Sequence, residues 1–361
     1  VPNGVSYNSW VILDEKVAVL DSVDPRKTEE WLSNLAGALE GREPDYLIIH
    51  HMEPDHAGSI SALADKYPAM TLVGNAKTFP MLAAFTGRDF ADRALIVKEG
   101  EELALGGHTL AFYMAPMVHW PEVMASYEKT GGTLFSADGF GRFGDADPAA
   151  PWVDEARRYY LNIVGKYGVQ VQALLKKAAA LDVKRICPLH GPVLSGEALA
   201  LALEKYDLWS RYVPEEKGVL VAYASIHGNT ARAALELADL LKAEGLAVET
   251  IDLTRRDWAE AVAGAFRYSG LALAASSYDA GVFPPMAQFL ARLKSKGFRD
   301  RTVGLMENGS WGPSALKTML GELEAMKGLT ILEPKITIRS AATEENRGQM
   351  GQLAKAFAAA L

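Results

Sequence analysis

The sequence predicts an α/β protein in two parts: a sandwich of sheets covered by helices, followed by a doubly wound parallel sheet. Three observations predict it. Short apolar strand-like segments dominate the first half, strand and helix signals alternate regularly through the second, and a polar stretch with a Pro and a Gly, RYVPEEKG, lies between them. The expected domains are therefore residues 1–213 and 218–361.

The elements follow in order. Two apolar stretches, Trp10–Leu13 and Val17–Leu20, flank Asp14, Glu15 and Lys16 and read as a hairpin. A helical pattern at Glu29–Leu39 precedes a strand at Tyr46–Ile49, which runs into a His-rich loop. Further strands are expected at Thr71–Val73, Ala94–Val97, Thr109–Met114, Thr133–Ser136 and Val183–Cys187, with helix through most of Val153–Ala180. Beyond the polar stretch, strands read at Val219–Ala224, Ala247–Leu253, Leu271–Ala275, Thr302–Leu305 and Ile331–Ile338. Helices alternate with them at Thr230–Leu241, Trp258–Phe266, Met286–Lys296, Ser314–Met326 and Glu344–Ala360.

Bulk properties narrow the function. A length of 361 residues favours two to three domains, and 49% apolar with 23% charged residues is ordinary for a globular chain. A net charge of −8 argues against nucleic acid as a partner. No apolar run is long enough for a membrane span, and the first residues show no secretory signal. The single cysteine, Cys187, excludes an internal disulfide and any Cys-rich metal site, which fits the reducing cytoplasm.

The first chemical signal is a set of seven metal-type residues. HHMEPDHAGS carries His51, Glu53, Asp55 and His56, and alternation along an extended segment brings His51, Glu53 and Asp55 to one side. His119 in APMVHWPE, Asp138 in LFSADGFG and His190 in ICPLHGP each stand at a predicted strand end. Any one of these reads most simply as a loop residue bonded to backbone; four such segments in one domain do not. The set supplies two metals with two imidazoles and a terminal carboxylate each. His51, Glu53 and His119 are assigned to one metal and Asp55, His56 and His190 to the other, with Asp138 between them. Imidazole and carboxylate without thiolate suit iron or manganese, with zinc also open. His50 is expected to point away from the metals, as the strand neighbour of His51, and His108 reads as a turn residue.

The second signal is a phosphate loop. Ser225, Ile226, His227, Gly228, Asn229 and Thr230 stand between a strand and a helix, and hydroxyls with backbone N–H groups at a helix N-terminus bind anions. The absence of a Lys after the glycine points to a monophosphate such as that of FMN rather than a nucleoside triphosphate. Two further strand ends carry Ser276, Ser277, Tyr278, Asp279, Ala280 and Gly281, and then Asn308, Gly309, Ser310, Trp311 and Gly312. Tyr278 and Trp311 are placed to flank a planar ring, although either could equally serve as core.

Together these residues resemble the flavodiiron proteins, also called A-type flavoproteins. The family pattern H-x-E-x-D-H, then H, D and H, is matched at His51, Glu53, Asp55, His56, His119, Asp138 and His190, with 18 residues between His119 and Asp138. The resemblance covers nearly the whole chain. It implies a metallo-β-lactamase-like αββα sandwich followed by a flavodoxin-like domain. It also implies a non-haem di-iron centre, FMN, and reduction of dioxygen to water or nitric oxide to nitrous oxide. Reduced FMN and two ferrous ions would together hold the four electrons that dioxygen needs. Family members form head-to-tail homodimers, alone or paired as tetramers, that bring the FMN of one subunit beside the irons of the other. The chain is expected to lack the first strand or two of the family's N-terminus, and to lack a fused rubredoxin, since it has no CxxC pair. The expected donor is therefore external, rubredoxin or a reduced deazaflavin.

Three rival readings are a zinc hydrolase with an accessory flavodoxin-like domain, a plain electron carrier, and a sensor of nitric oxide. Glu53 stands where zinc hydrolases of this fold usually carry His, which weighs against the first. Selectivity between the gases is expected to lie around the ligands, near Trp120 or Met52.

Overall fold

A computed structural model describes residues 3–361 of the chain. It divides into two compact units, Val1–Asp207 and Leu208–Leu361.

The first unit contains two sheets. Strands β1 (Trp10–Ile12), β2 (Ala18–Leu20), β3 (Tyr46–Ile48), β4 (Thr71–Gly74) and β5 (Ala94–Ile96) form one in sequence order. Its first pair is antiparallel and the rest are parallel. The second holds β6 (Glu102–Ala104), β7 (Thr109–Met114), β8 (Met124–Glu128), β9 (Thr133–Phe135), β10 (Arg185–Cys187) and β11 (Leu194–Ser195), and it too runs in sequence order. Helices α1 (Thr28–Ala38), α2 (Pro54–Ala57), α3 (Ile60–Lys66), α4 (Thr78–Thr86), α5 (Val153–Ile163), α6 (Gly168–Ala178) and α7 (Gly196–Ser210) complete the unit.

Side-chain alternation decides how the layers stack. Along the first sheet, Val17, Val19, Leu47, Ile49 and Leu72 pack outward on Trp31, Leu35, Leu63 and Leu82 of the covering helices. Their neighbours Ala18, Leu20, Ile48 and Val73 turn inward onto Leu110, Phe112, Met124 and Phe135 of the second sheet. The result is a sheet-on-sheet sandwich with helices outside it.

The second unit alternates β12 (Glu216–Ala224), α8 (Asn229–Ala243), β13 (Ala247–Asp252), α9 (Trp258–Arg267) and β14 (Tyr268–Tyr278). It continues with β15 (Gly281–Val282), α10 (Pro284–Ser295), β16 (Thr302–Asn308), α11 (Ala315–Leu323), β17 (Thr330–Ile331), β18 (Ile336–Ile338) and α12 (Glu344–Ala360). The central strands are parallel in the order β13-β12-β14-β16-β17, with β18 also on β16, so the direction of winding reverses between β12 and β14. Val219, Val221, Ala272, Ala274 and Met306 pack on α8 and α12 through Ala234, Leu237, Leu353 and Phe357. Gly304 lets α12 come close: a Cβ there would stand 2.6 Å from the Phe357 ring.

Three sequence expectations are corrected. The strand expected at Ile331–Ile338 is two short strands, because Pro334 interrupts it with no N–H to give the ladder. The helix expected through Val153–Ala180 is two helices with a single 3₁₀ turn, Gly165–Tyr167, between them. Strands β6, β8, β11 and β15 and helices α4 and α7 were not expected. No helix among the described residues is long and apolar enough to cross a membrane.

Candidate functional site

In the first unit the seven predicted residues meet at the strand ends. Strand β3 runs on into His51 and Glu53, whose backbone is extended (φ −60°, ψ 136°), and Pro54 then opens α2 at its first position. This corrects one expectation. Alternation ends at Pro54, so Asp55 leaves the side of His51 and Glu53 and joins His56 and His190. His119 comes from the loop between β7 and β8. Asp138 follows β9 in a loop with Ala137 and Phe140 at positive φ (51° and 66°). That loop is closed by Ser136 Oγ donating to Gly139 O at 2.6 Å and by Phe140 N donating to the buried Tyr206 hydroxyl at 2.6 Å. His190 follows β10, and the next residue, Gly191, has φ +85°.

Two groups of donor atoms result, and Asp138 faces both. Glu53 Oε2 lies 3.2 Å from His51 Nε2 and 3.0 Å from His119 Nε2, and Asp138 Oδ2 lies 3.1 Å from His119 Nε2. On the other side, Asp55 Oδ2 is 3.4 Å from both His56 Nε2 and His190 Nε2, and Asp138 Oδ1 is 3.1 Å from His56 Nε2. His51, His56 and His190 are buried and His119 is 12% exposed, while Glu53 (35% exposed) and Asp55 (26%) mark the open side.

The electrostatics of the bare protein are those of imidazolium held by carboxylate. Burial by itself would depress His51, but Asp138, Glu122 and Glu53 outweigh it and push its pKa up to about 10. Burial would raise Glu53, yet hydrogen bonds from His119 and His51 hold it at about 2. Asp138 is buried too, and the surrounding His56 and His51 hold it well below the usual carboxylate range.

The donor set fits metal better than protons. His56 Nε2 and His190 Nε2 face each other at 3.0 Å, and buried Asp55 Oδ1 has no hydrogen-bond partner among the described residues. Four imidazoles and three carboxylates converging on one space without thiolate are a set for two cations of the iron, manganese or zinc kind.

His50 points elsewhere: Nδ1 pairs with Asp21 at 2.6 Å and Nε2 with Ser126 Oγ at 2.8 Å. His108 is tied to Asp14. Two neighbours escaped the sequence reading. Glu122, buried, accepts from His51 Nδ1 at 2.8 Å; its signal is its place three residues after His119, across a Pro. Tyr159 of α5 lies 5.4 Å from His190 by ring centroids, and burial together with the Asp138 charge pushes its phenol well above the ordinary value. As one of two adjacent tyrosines in an amphipathic helix it carried no distinguishing signal. Trp120 stands edge-on to His51 at 5.2 Å and is stacked under the half-exposed Phe85. Met52 is fully buried in the core beneath.

In the second unit a cavity of about 430 Å³ opens beyond the carboxyl ends of β12, β14 and β16, beside the point where the winding reverses. Ile226, His227, Asn229 and Thr230 line it from the first loop, Ser277, Tyr278, Asp279 and Ala280 from the second, and Asn308, Gly309, Ser310, Trp311 and Gly312 from the third. Ser225, Gly228 and Gly281 do not line it. They shape the loops instead: Gly228 N donates to Ser225 Oγ at 3.1 Å, and Gly228 caps α8 at φ +93°. Ser314 Oγ donates to Gly281 O at 2.9 Å. Ser276, read in the sequence as the start of the second loop, lines it too, and Ser314 and Ser340 line it without having been predicted. Ser340 stands just past the end of β18, and it exchanges two hydrogen bonds with Asn308 (2.9 and 3.1 Å).

The cavity suits a flavin mononucleotide. Thr230 and Ser276 hydroxyls meet at 2.9 Å at the N-terminus of the 15-residue α8, a seat for phosphate. Trp311 is 92% exposed and Tyr278 46%, so neither is core.

Residues 5–191 match the family model described as ODP family beta lactamase. The chain is 27% identical to the rubredoxin-oxygen oxidoreductase of Megalodesulfovibrio gigas, over all of this chain and 91% of that one. It is 28% identical to the anaerobic nitric oxide reductase flavorubredoxin of Aliivibrio salmonicida over 87% of this chain, but spans only 64% of that relative. The crystal structure of the flavodiiron protein from Giardia intestinalis superposes with a TM-score of 0.91 at 27% identity, covering 99% of this chain and 91% of that one. With its metallo-β-lactamase-like first domain and flavodoxin-like second, the chain belongs to the flavodiiron protein family.

Proposed function

We propose that the protein reduces dioxygen to water, nitric oxide to nitrous oxide, or both, at two non-haem irons, with electrons relayed through FMN from an external donor of the rubredoxin type. The observation that carries this is Asp138, one carboxylate with an oxygen turned to each of two imidazole–carboxylate groups. His51, Glu53 and His119 would hold one iron and Asp55, His56 and His190 the other, with Asp138 facing both groups. Bound there, the irons supply one-electron chemistry on a small gas, which zinc does not offer.

The chain's own residues set the conditions. Buried His51, His56 and His190 keep the bases dry, and the partly exposed Glu53 and Asp55 leave an approach for small molecules. Tyr159, kept protonated by burial and by the Asp138 charge, holds a proton beside that carboxylate. Trp120 and Phe85 form an apolar wall on the His51 side. In the other unit, Thr230, Ser276 and the α8 N-terminus would hold the FMN phosphate, with Tyr278 and Trp311 placed to flank the ring. A head-to-tail homodimer in the cytoplasm, with the FMN of one copy serving the irons of the other, completes the reading. The names of the two relatives, one for oxygen and one for nitric oxide, support both gases as candidates.

The experiment is anaerobic reduction of the flavin by rubredoxin with its reductase, followed by dioxygen or nitric oxide in separate runs. Steady donor oxidation on either gas is expected; no oxidation on either would overturn the proposal.

A further inference from the structure

The histidines of the two groups are backed differently. Glu122 is 1% exposed and its Oε1 accepts from both His51 Nδ1 and Met52 N, each at 2.8 Å. Its Oε2 is buried without a partner among the described residues. The Asn75 side-chain amide, just past β4, donates to the Glu122 backbone carbonyl and fixes the residue from the other sheet. In the second group, His190 Nδ1 faces only a backbone carbonyl, Ser6 O, at 2.7 Å. His56 Nδ1 is buried with no partner among the described residues. One group therefore has a full negative charge behind an imidazole, and the other has a dipole and a bare nitrogen.

That difference has electronic consequences. A carboxylate acceptor on Nδ1 draws the ring proton toward itself, fixes the tautomer and makes Nε2 a stronger donor. It also adds a whole charge in a dry environment, where charge is weakly screened. Both effects favour the higher charge state of a cation at Nε2. A carbonyl does the first weakly and the second not at all.

We infer that Glu122 is a positioning residue that makes the two metal sites unequal, so that the iron beside His51, Glu53 and His119 binds more tightly and is the first to lose its electron. This rests on the proposed di-iron reading. In the step itself a ferrous ion becomes ferric and the single electron passes to the oxidant used in the titration.

The test uses the full chain loaded anaerobically with ferrous iron. Glu122→Gln keeps an oxygen for both N–H donors and removes the charge; Glu122→Ala removes both. Iron oxidation is followed in a mediated redox titration by electron paramagnetic resonance and Mössbauer spectroscopy. For Glu122→Gln the expected result is that both irons stay bound, the lower-potential step moves up, the other stays, and the gap narrows. For Glu122→Ala, one site loses about 10- to 100-fold in affinity and the other keeps its own. Unmoved steps in Glu122→Gln, equal movement of both, or movement of the higher step alone would overturn the inference. If Glu122→Ala does not fold, shown by its melting after chelation, the Glu122→Gln arm decides. If the wild-type protein takes up no iron, the di-iron reading fails, and zinc titration of Glu122→Gln against wild type then decides the inequality alone: a loss confined to one site upholds it, and equal sites overturn it.

Discussion

Asp138 and His119, nineteen positions apart, meet at 3.1 Å through Asp138 Oδ2, and the same carboxylate offers its other oxygen to His56 at the same distance. That geometry supports the proposed role of Asp138 between the two metals. Asp138→Asn keeps one oxygen but turns an amide N–H toward one of the two groups. Iron content is expected to fall from about two per chain toward one or less, and gas-dependent donor oxidation to drop more than about 100-fold. Metal analysis and oxygen-electrode traces on the variant check this, and retention of both irons would refute it.

The raised His51 pKa makes metal loading a proton-releasing event. In the metal-free protein His51 titrates near 10, so at pH 7 an entering cation must displace its proton. Metal affinity is expected to rise with pH up to about 10, and loading at pH 7 should acidify a weakly buffered solution. A pH-independent affinity would count against it.

The same groups shape the stability of the chelated protein. His51 is raised from 6.5, so its contribution is full below 6.5 and fades as pH climbs toward about 10. Glu53 is depressed from 4.5, so its contribution is full above 4.5 and is lost as pH falls toward about 2. Chelated protein should therefore melt highest between pH 4.5 and 6.5. Melting curves across pH 4–9 test it; a midpoint still rising above pH 7 would contradict it.

In the proposed reading the cavity separates the flavin phosphate from its ring. Thr230→Val removes a hydroxyl at the buried end beside Ser276. A hydrogen bond to a charged group contributes about 1.5–3 kcal/mol, so FMN affinity should fall about 10- to 100-fold. Trp311→Ala, at a residue 92% exposed, should leave the melting temperature unchanged and weaken flavin binding. Fluorescence titration of flavin-free protein reads both.

Leu47 is fully buried in the middle strand that leads to the His51 loop. Leu47→Ala should cost about 2–5 kcal/mol, measured by denaturant unfolding of the metal-free protein.

Much of this was legible in the chain because polar ligands at strand ends interrupt apolar runs, as at His119, Asp138 and His190. The regular alternation of the second half gave its topology for the same reason. What was hidden depends on contacts far apart in sequence. Strand β8, MASYE, carries Ser126 and Glu128 among its apolar residues; Ser126 is buried against His50 and Glu128 against the N–H groups of Thr130 and Gly131. Asp55 stands with His56 and His190 as assigned, but by another route than strand alternation, because Pro54 starts a helix. Glu122 and Tyr159 have meaning only beside His51 and His190, which lie 71 and 31 positions away in the chain. Ser340 lines the cavity just past the end of β18, where no functional motif marks it in the sequence.

The most direct test of the central claim is metal and flavin analysis of the protein as isolated under anaerobic, iron-replete conditions. The account predicts about two irons and one FMN per chain. Two zinc ions in place of iron, with the flavin cavity empty, would contradict it.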